Sequence, residues 1–569
     1  MSNDEDQSPG TDLGFHRPLP LIDDQNRYYW TAGADGVMRF QQCHACQALL
    51  HPPQPVCRYC RSEDLGTKDV SGRGVIVGLT VNHHQWDPAF PPPFVIVVVA
   101  IDEDPRVRVI SNLVGPGASE ADVGRKVRVS FEHLEDVWLP VFALDGDEEA
   151  ELPSDETPPE DHRRWIRPML GTEKFEDKVA ITGIGMSPIG RRQMVAPLKL
   201  TVAAAKAAIA DAGLEMSDID GLSTYPGGNS AAGFSEGGVS ALEDALGLRP
   251  SWYNGGPETF GPAGSVIAAM LAVAAGLARH VLCFRTVWQA TYAAQQRATD
   301  PSGGNPYGMG GHARGRVGGY MAPYGLGSAS NNLALCASHH FRRYGTTRET
   351  LGWIALNQRK NAGLNPLAIY RDPLTMDDYL SARMISTPFG LYDCDVPVDA
   401  CTALIVSAVE TANDLAKPPI LVEAVGTQMT ERVAWDQSTM THEPQVLGPS
   451  AHLWSRTSLR PSDVQVAQLY DGFSFNCLSW LEALGFCGIG EAKDFLAGGR
   501  NIALEGGVVA LNTHGGQLSA GRTHGMGLMH EAIVQLRGEG GPRQVANASV
   551  AVVSSGGLTP SGAILLRRQ

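Results

Sequence analysis

Between residues 67 and 144 apolar and polar positions alternate in short runs: "GRGVIVGLTVNHH", "PPFVIVVVAID", "VRVISNLVG" and "RKVRVSFEHLEDVWLPVFAL". A period of two, β-branched residues and intervening Gly, Pro and Asp predict strands closing a small β-barrel. The run "DGDEEAELPSDETPPEDHRR" breaks the pattern with acids and prolines, and predicts a solvated linker over 145–176. From "KVAITGIGMSPIG" onward strand-like and helix-like runs take turns. "LTVAAAKAAIADAGL" and "SVIAAMLAVAAGLA" predict helices, the first stopped by Gly213; "HVLCFRTV", "PILVEAVGTQM" and "ASVAVVSS" predict strands. The order of elements describes an α/β body over 177–569 with two similar halves, near 177–410 and 411–569. A glycine-rich stretch from about 289 to 328 ("GGNPYGMGGHARGRVGGYMAPYGLG") has no periodicity and predicts a long functional loop.

Length and charge narrow the classes. A chain of 569 residues is expected to hold about three to four folding units. Of the net charge of −16, residues 1–175 carry −13, with 29 acidic against 16 basic side chains. No basic footprint for phosphates exists, so a nucleic-acid partner is excluded. Residues 1–42 form a polar lead-in, turning amphipathic around "QNRYYWTAGADGVMRFQQ". Its acidic start is no secretory signal. The most apolar segment, Ser265 to Ala278, meets Arg279 after 14 residues. A membrane span needs about 18–20, so no membrane partner is expected. The chain reads as cytoplasmic and reduced.

The strongest local signal is "CHACQALLHPPQPVCRYC". Cys43-x2-Cys46 and Cys57-x2-Cys60 are two thiolate pairs of the spacing that clamps one tetrahedral ion, and four sulfurs leave no open position. The expectation is a structural zinc ribbon over 43–66, with His44 and His51 as bystanders.

Near the C-terminus "LNTHGGQLSAGRTHGMG" sets His514, Arg522 and His524 into a glycine-rich loop. Such a loop lets backbone approach a ligand, and imidazole is poised for proton transfer near neutral pH.

Two resemblances follow. "YYW…GVMRFQQC", the four cysteines and the barrel strands resemble the DUF35 family, a zinc ribbon joined to an OB-fold that partners thiolase-like enzymes and binds acyl-CoA. "GPAGSVIAAMLAVAAGLARHVL", "LYDGFSFNCLSWLEALGFC", "GGQLSAGRTHGMG" and "QLRGEGGPRQV" resemble the lipid-transfer (sterol-carrier) branch of the thiolase superfamily. The resemblance implies a layered α-β-α-β-α thiolase-like fold behind a zinc ribbon and an OB-fold. It also marks what is missing. The thiolase nucleophile falls at or next to Gly261, the Gly-His-Pro loop becomes Gly521-Arg522-Thr523, and the C-terminal cysteine becomes the run Ser554 to Gly557. Covalent catalysis needs the activated thiolate itself. The remaining cysteines (Cys283, Cys336, Cys394, Cys401, Cys477 and Cys487) lie in strand or helix patterns and are expected in the core.

Aldolases of steroid side-chain degradation within this branch have likewise lost the cysteine and histidine and pair with DUF35 proteins. The resemblance to them implies a CoA-thioester aldolase: retro-aldol cleavage of a β-hydroxyacyl-CoA, with structural zinc, acyl-CoA as substrate and no redox cofactor. Tyr470, of the pair Tyr470-Asp471, is the first candidate proton carrier. Arg522 is a candidate for stabilising an enolate or lowering the proton affinity of Tyr470, because a guanidinium is no base. His524 is a candidate for taking the β-hydroxyl proton; His514 ranks lower, and Asp399 is expected to hold loops. The second catalytic tyrosine of those aldolases is absent from this loop. An acyltransferase and a non-catalytic acyl-CoA or lipid binder are the competing readings. The Gly261 region implies a homodimer through the thiolase-like domain.

Overall fold

The computed structural model describes residues 17–154, 159–169, 171–228, 233–299, 318–432, 434–556 and 561–569. A short helix, Arg27–Thr31, buries Tyr29 and Trp30. The strand Met38–Cys43 then pairs antiparallel with Leu49–Leu50 and Leu65–Val70. The two cysteine knuckles repeat one turn. Gln47 and Arg61, each one residue past the second cysteine of its pair, take φ of 60° and 67° and donate N–H to the carbonyls of Cys43 and Cys57 at 2.8 and 2.9 Å.

Five strands make the barrel: Arg73–Asn82, Phe94–Ile101, Asp104–Asn112, Arg125–Leu134 and Val137–Glu149. Consecutive antiparallel pairs and a first-to-fourth pair build most of the wall. A parallel bridge from Leu113 to Phe142 brings the third strand to the fifth. Phe94–Ile101 is apolar along its whole length, and its packing explains why. Val95, Val97, Val99 and Ile101 line the barrel interior. Ile96, Val98 and Ala100 face outward into the core of the α/β body. Both faces are dry, so both are apolar.

The barrel and the α/β body are joined by more than a tether. The short strand Met384–Ser386 adds to the barrel sheet through Ser386 and Asn82, and Asn331 donates to both Asn82 Oδ1 (3.0 Å) and Ser386 Oγ (2.8 Å). Buried Arg108 reaches the carbonyl of Ser438, and Tyr320 stacks on Trp30 at 5.0 Å. The helix Ala329–Tyr344 crosses the first barrel strand at Gly78, where an added Cβ would lie 2.9 Å from the Leu335 carbonyl oxygen. Gly78→Val is therefore expected to cost about 1–3 kcal/mol through overpacking, measured as a lowered midpoint of urea unfolding.

The α/β body is a ten-stranded sheet among the described residues. Its left half, from the centre outward, runs Val179–Met186, Asp399–Ala408, His280–Trp288, Gly221–Thr224, Trp252–Asn254; its right half runs Ile420–Gly426, Gly562–Arg568, Val550–Ser555, Val466–Gln468, Ala510–Leu511. In chain order each half is first, fifth, fourth, second, third. The directions match too: the second strand is parallel to the third and fourth, and the fifth is antiparallel to the fourth and first. The two halves are therefore one repeated motif, and corresponding loops meet at the seam. Helices Gly261–Ala274 and Met526–Arg537 are corresponding elements, each between the third and fourth strands.

Two expectations change. The linker is not wholly solvated: the last barrel strand runs on to Glu149, and the short helix Pro159–Arg164 docks on Leu447–Ser455, with His162 buried and Nδ1 2.6 Å from Thr430 Oγ1. An acidic composition hid one docked helical turn. In the glycine-rich stretch, Gln289–Thr299 is helical, since its glycines begin only at Gly303; residues 300–317 lie outside the described residues.

Candidate active site

Each half ends its second strand in a tyrosine, Tyr225 after Gly221–Thr224 and Tyr470 shortly after Val466–Gln468. His524 sits between them, with ring centroids 6.4 Å from Tyr225 and 6.3 Å from Tyr470.

The phenol of Tyr470 is wedged by missing side chains. A Cβ on Gly472 would lie 2.9 Å from its ring and 3.2 Å from its hydroxyl, and one on Gly525 would lie 3.6 Å from the ring's other edge. Its backbone N–H donates to Ser554 Oγ at 2.9 Å. Tyr470 is only 3% exposed. Burial pushes its proton affinity up, the nearby Arg522 charge opposes this, and the Asp395 charge adds to it, so it is a neutral phenol at pH 7.

Gly261 opens its helix with φ of +61°, and a Cβ there would stand 3.0 Å from Ser555 Oγ. A side chain at this position is strained as well as crowded. The six cysteines outside the ribbon offer no substitute. Cys283, Cys336, Cys401 and Cys477 are buried on strands or helices; Cys394, on an isolated bridge to Phe473, and Cys487, in a bend, are half-buried outside the strands and helices expected for them. Burial pushes the thiols of Cys283, Cys394, Cys401, Cys477 and Cys487 up.

Arg522 is turned inward. Its N–H donates to the Val396 carbonyl at 2.8 Å, its Nε lies 3.0 Å from Asp395 Oδ2, and its guanidinium sits 5.4 Å from the Phe234 ring centroid. Asp395 in turn donates its N–H to the Gly472 carbonyl at 3.1 Å. Burial pushes the Asp395 carboxyl up to about 6, with Arg522 pulling it down.

His524 has φ of +56°. Its Nδ1 lies 3.1 Å from Arg285 Nη2, and burial with the charges of Arg285 and Arg522 holds the imidazole well below its ordinary pKa.

Asp471 belongs to the frame. Its carboxylate accepts the N–H of Gln517 at 2.9 and 3.0 Å and of Leu518 at 3.4 Å, capping the turn Gly516–Ala520. A Cβ on Gly516 would strike Asp471 Oδ2. This clamp fastens the tyrosine loop to the glycine-rich loop. Asp399 accepts from Gln193 N, Thr291 N and Thr291 Oγ1 at 2.7–2.9 Å, fixing two further loops. The structure thus brings Tyr470, Arg522 and His524 together and separates His514, which lies with Glu531, His530 and Arg543; burial pushes its imidazole down to about 4. Sequence reasoning missed Arg285 and Asp395. Arg285 left a trace, a lone charge inside the apolar run "HVLCFRTV"; Asp395, in "YDCDVPVDAC", left none that separates it from its neighbours.

The four ribbon sulfurs lie within 4.8 Å of one another, with Cys43–Cys60 and Cys46–Cys57 at 3.5 and 3.6 Å. Tetrahedral bonds of about 2.3 Å put sulfurs about 3.8 Å apart, so the donor set fits one structural zinc. The chain is expected to carry one zinc per molecule, and a strong chelator should unfold the ribbon, because such sites supply their own folding energy. Metal analysis of protein prepared without chelator, with circular dichroism before and after chelation, checks both.

Residues 30–66 match the family described as "ChsH2, rubredoxin-like zinc ribbon domain", residues 67–132 "ChsH2, C-terminal OB-fold domain", and residues 427–566 "Thiolase C-terminal domain-like". A steroid side-chain-cleaving aldolase of Thermomonospora curvata is 35% identical over 398 residues, covering 68% of this chain and 97% of the relative. The 17-hydroxy-3-oxo-4-pregnene-20-carboxyl-CoA lyase of Mycobacterium tuberculosis is 32% identical over 403 residues, covering 68% and 99%. A solved Ltp2-ChsH2(DUF35) aldolase superposes with a TM-score of 0.60 at 31% identity, covering 69% of this chain and 98% of that one. Among the described residues no helix is long and apolar enough to cross a membrane. With 32–35% identity to two such enzymes across two thirds of its length, a repeated α/β motif and a zinc-ribbon and OB-fold module on the same polypeptide, this chain belongs to the thiolase-like side-chain-cleaving aldolases, carbon–carbon lyases acting on CoA thioesters.

Proposed function

We propose that the seam between the two halves binds a β-hydroxyacyl-CoA and breaks its Cα–Cβ bond by retro-aldol. The β-hydroxyl loses its proton and its oxygen becomes the carbonyl of a departing ketone. The Cα–Cβ electron pair moves into the thioester as an enolate, Cα takes a proton, and a shorter acyl-CoA remains. One observation carries this reading: Gly261 offers no side chain for a covalent intermediate, while the buried Tyr470 hydroxyl has no hydrogen-bond partner among the described residues. A buried phenol is an acid, and Tyr470 is assigned to protonate Cα. Asp395, the cluster's carboxylate poised near 6, is assigned to collect the β-hydroxyl proton in place of His524, whose Nδ1 is engaged by Arg285. Arg522 is assigned to the developing enolate, where a fixed donor is worth most. A tertiary β-hydroxyl on a steroid side chain is the proposed substrate, on the strength of what the Mycobacterium tuberculosis relative is named for. Purified protein incubated with β-hydroxyacyl-CoAs of differing Cβ substitution should release ketone from the tertiary esters, followed by mass spectrometry; ketone from none of them overturns the reading.

A homodimer through the α/β body is also proposed. Leu271 on the Gly261–Ala274 helix, Leu277 just beyond it and Tyr253 on the sheet's outer strand are 49%, 56% and 69% exposed. Burying identical exposed apolar side chains against each other favours two-fold closure. Sedimentation at micromolar concentration should give twice the chain mass; a monomer contradicts it. A reducing cytoplasm suits ten cysteines none of which is in a disulfide.

A further inference from the structure

Arg285 is a buried cation in the middle of a strand, 1% exposed. Its Nη1 donates to the carbonyls of Tyr225 and Phe234, both at 2.6 Å, and its guanidinium lies 5.4 and 5.5 Å from the centroids of those two rings. The carbonyls and rings fix its plane, and the Nη2 that remains points at His524 Nδ1, 3.1 Å away. A guanidinium only donates. The Nδ1 it meets therefore accepts, and an imidazole that accepts at Nδ1 carries its proton on Nε2.

We propose that Arg285 is a positioning residue that holds His524 neutral, in the Nε2–H tautomer, so that His524 is a hydrogen-bond donor to the thioester oxygen as it becomes an enolate, and not a base. The role in catalysis rests on the retro-aldol reading; the tautomer does not. Every element packed around His524 agrees. Arg285 stands on its strand and Arg522 on its own loop, two cations that oppose a third. Tyr225 and Tyr470 contribute aromatic rings, and burial keeps the Tyr470 phenol protonated. Of the nearby carboxylates, Asp395 is paired with Arg522, Asp471 is taken up by the N–H groups of Gln517 and Leu518, Glu443 acts on Tyr470, and Glu236, pushed up to about 7 by burial, feels the Arg285 charge. Burial lowers Arg285 itself only to about 10, so it stays a cation at neutral pH. The positive φ of His524 is a conformation that non-glycine residues rarely adopt, which fits a side chain placed for function.

The test is nitrogen-15 NMR of the full chain with labelled histidine, the His524 signals being those lost in His524→Asn. The expected result is an Nε2 that bears the proton and an Nδ1 that accepts, unchanged from about pH 5.5 to 8.5. Arg285→Met should mix the tautomers, let the ring titrate near its ordinary value of about 6.5, and lower kcat at least about tenfold with KM within about threefold, the pattern of an interaction made only in the transition state. A proton on Nδ1 in the unmutated chain, or titration near 6.5, overturns the proposal even if Arg285→Met does not fold. So does an Arg285→Met protein whose tautomer and kcat are unchanged. Because the spectra need no substrate, a failed retro-aldol reading and a failed tautomer assignment give different results.

Discussion

Tyr470→Phe is expected to lower turnover by about 10²–10⁴-fold, the usual worth of a placed proton donor, while acyl-CoA binding stays within a few-fold. The change removes one oxygen. It leaves the ring wedged over Gly472 and against Gly525, and it leaves the backbone bond to Ser554 intact. A fold defect is therefore not expected, and the loss should appear in kcat and kcat/KM together. Steady-state kinetics with a tertiary β-hydroxyacyl-CoA measures it. Full activity in Tyr470→Phe would remove the phenol from the reaction and leave the seam without its acid.

Asp395→Asn should have a comparable effect and a further signature in pH. The carboxyl is pushed up to about 6 by burial, and only its ionised form can accept a proton. In the unmutated enzyme kcat/KM should therefore be level above about pH 7 and fall about tenfold per unit below pH 6, since that profile reports the free enzyme's essential base. The amide cannot ionise, so the residual activity of Asp395→Asn should lack this acid limb. It also leaves the half-buried Arg522 without its carboxylate, so Arg522→Ala in the same background separates the two contributions: if the ion pair alone mattered, the double variant would be no worse than either single one.

Much of this arrangement was legible from residue types. The cysteine spacing specified the ribbon because a tetrahedral site tolerates few geometries. The α/β body was legible because its strands and helices alternate with clear periods. The resemblance set the thiolase nucleophile at or next to Gly261, where glycine has no side chain to offer. What the chain could not reveal were relations between distant segments. The run "FVIVVVAI" reads as a strand, yet its two-sided burial depends on the α/β body packing outside the barrel. Arg522 could be placed in the loop but not paired, because its partner Asp395 lies 127 positions earlier. His524 looked like a base because imidazole usually serves as one; only the approach of Arg285 from another strand reverses that reading.

The central claim is carbon–carbon cleavage without a covalent enzyme, and rapid-quench mass spectrometry of the intact chain during a single turnover in deuterium oxide tests it most directly. The expected result is an unmodified chain mass at every time point, ketone and shortened acyl-CoA formed one for one, and one deuterium at Cα of the acyl product. A chain heavier by the acyl group at any time before product release, lost when any one of Cys283, Cys336, Cys394, Cys401, Cys477 or Cys487 is changed to serine, would contradict it.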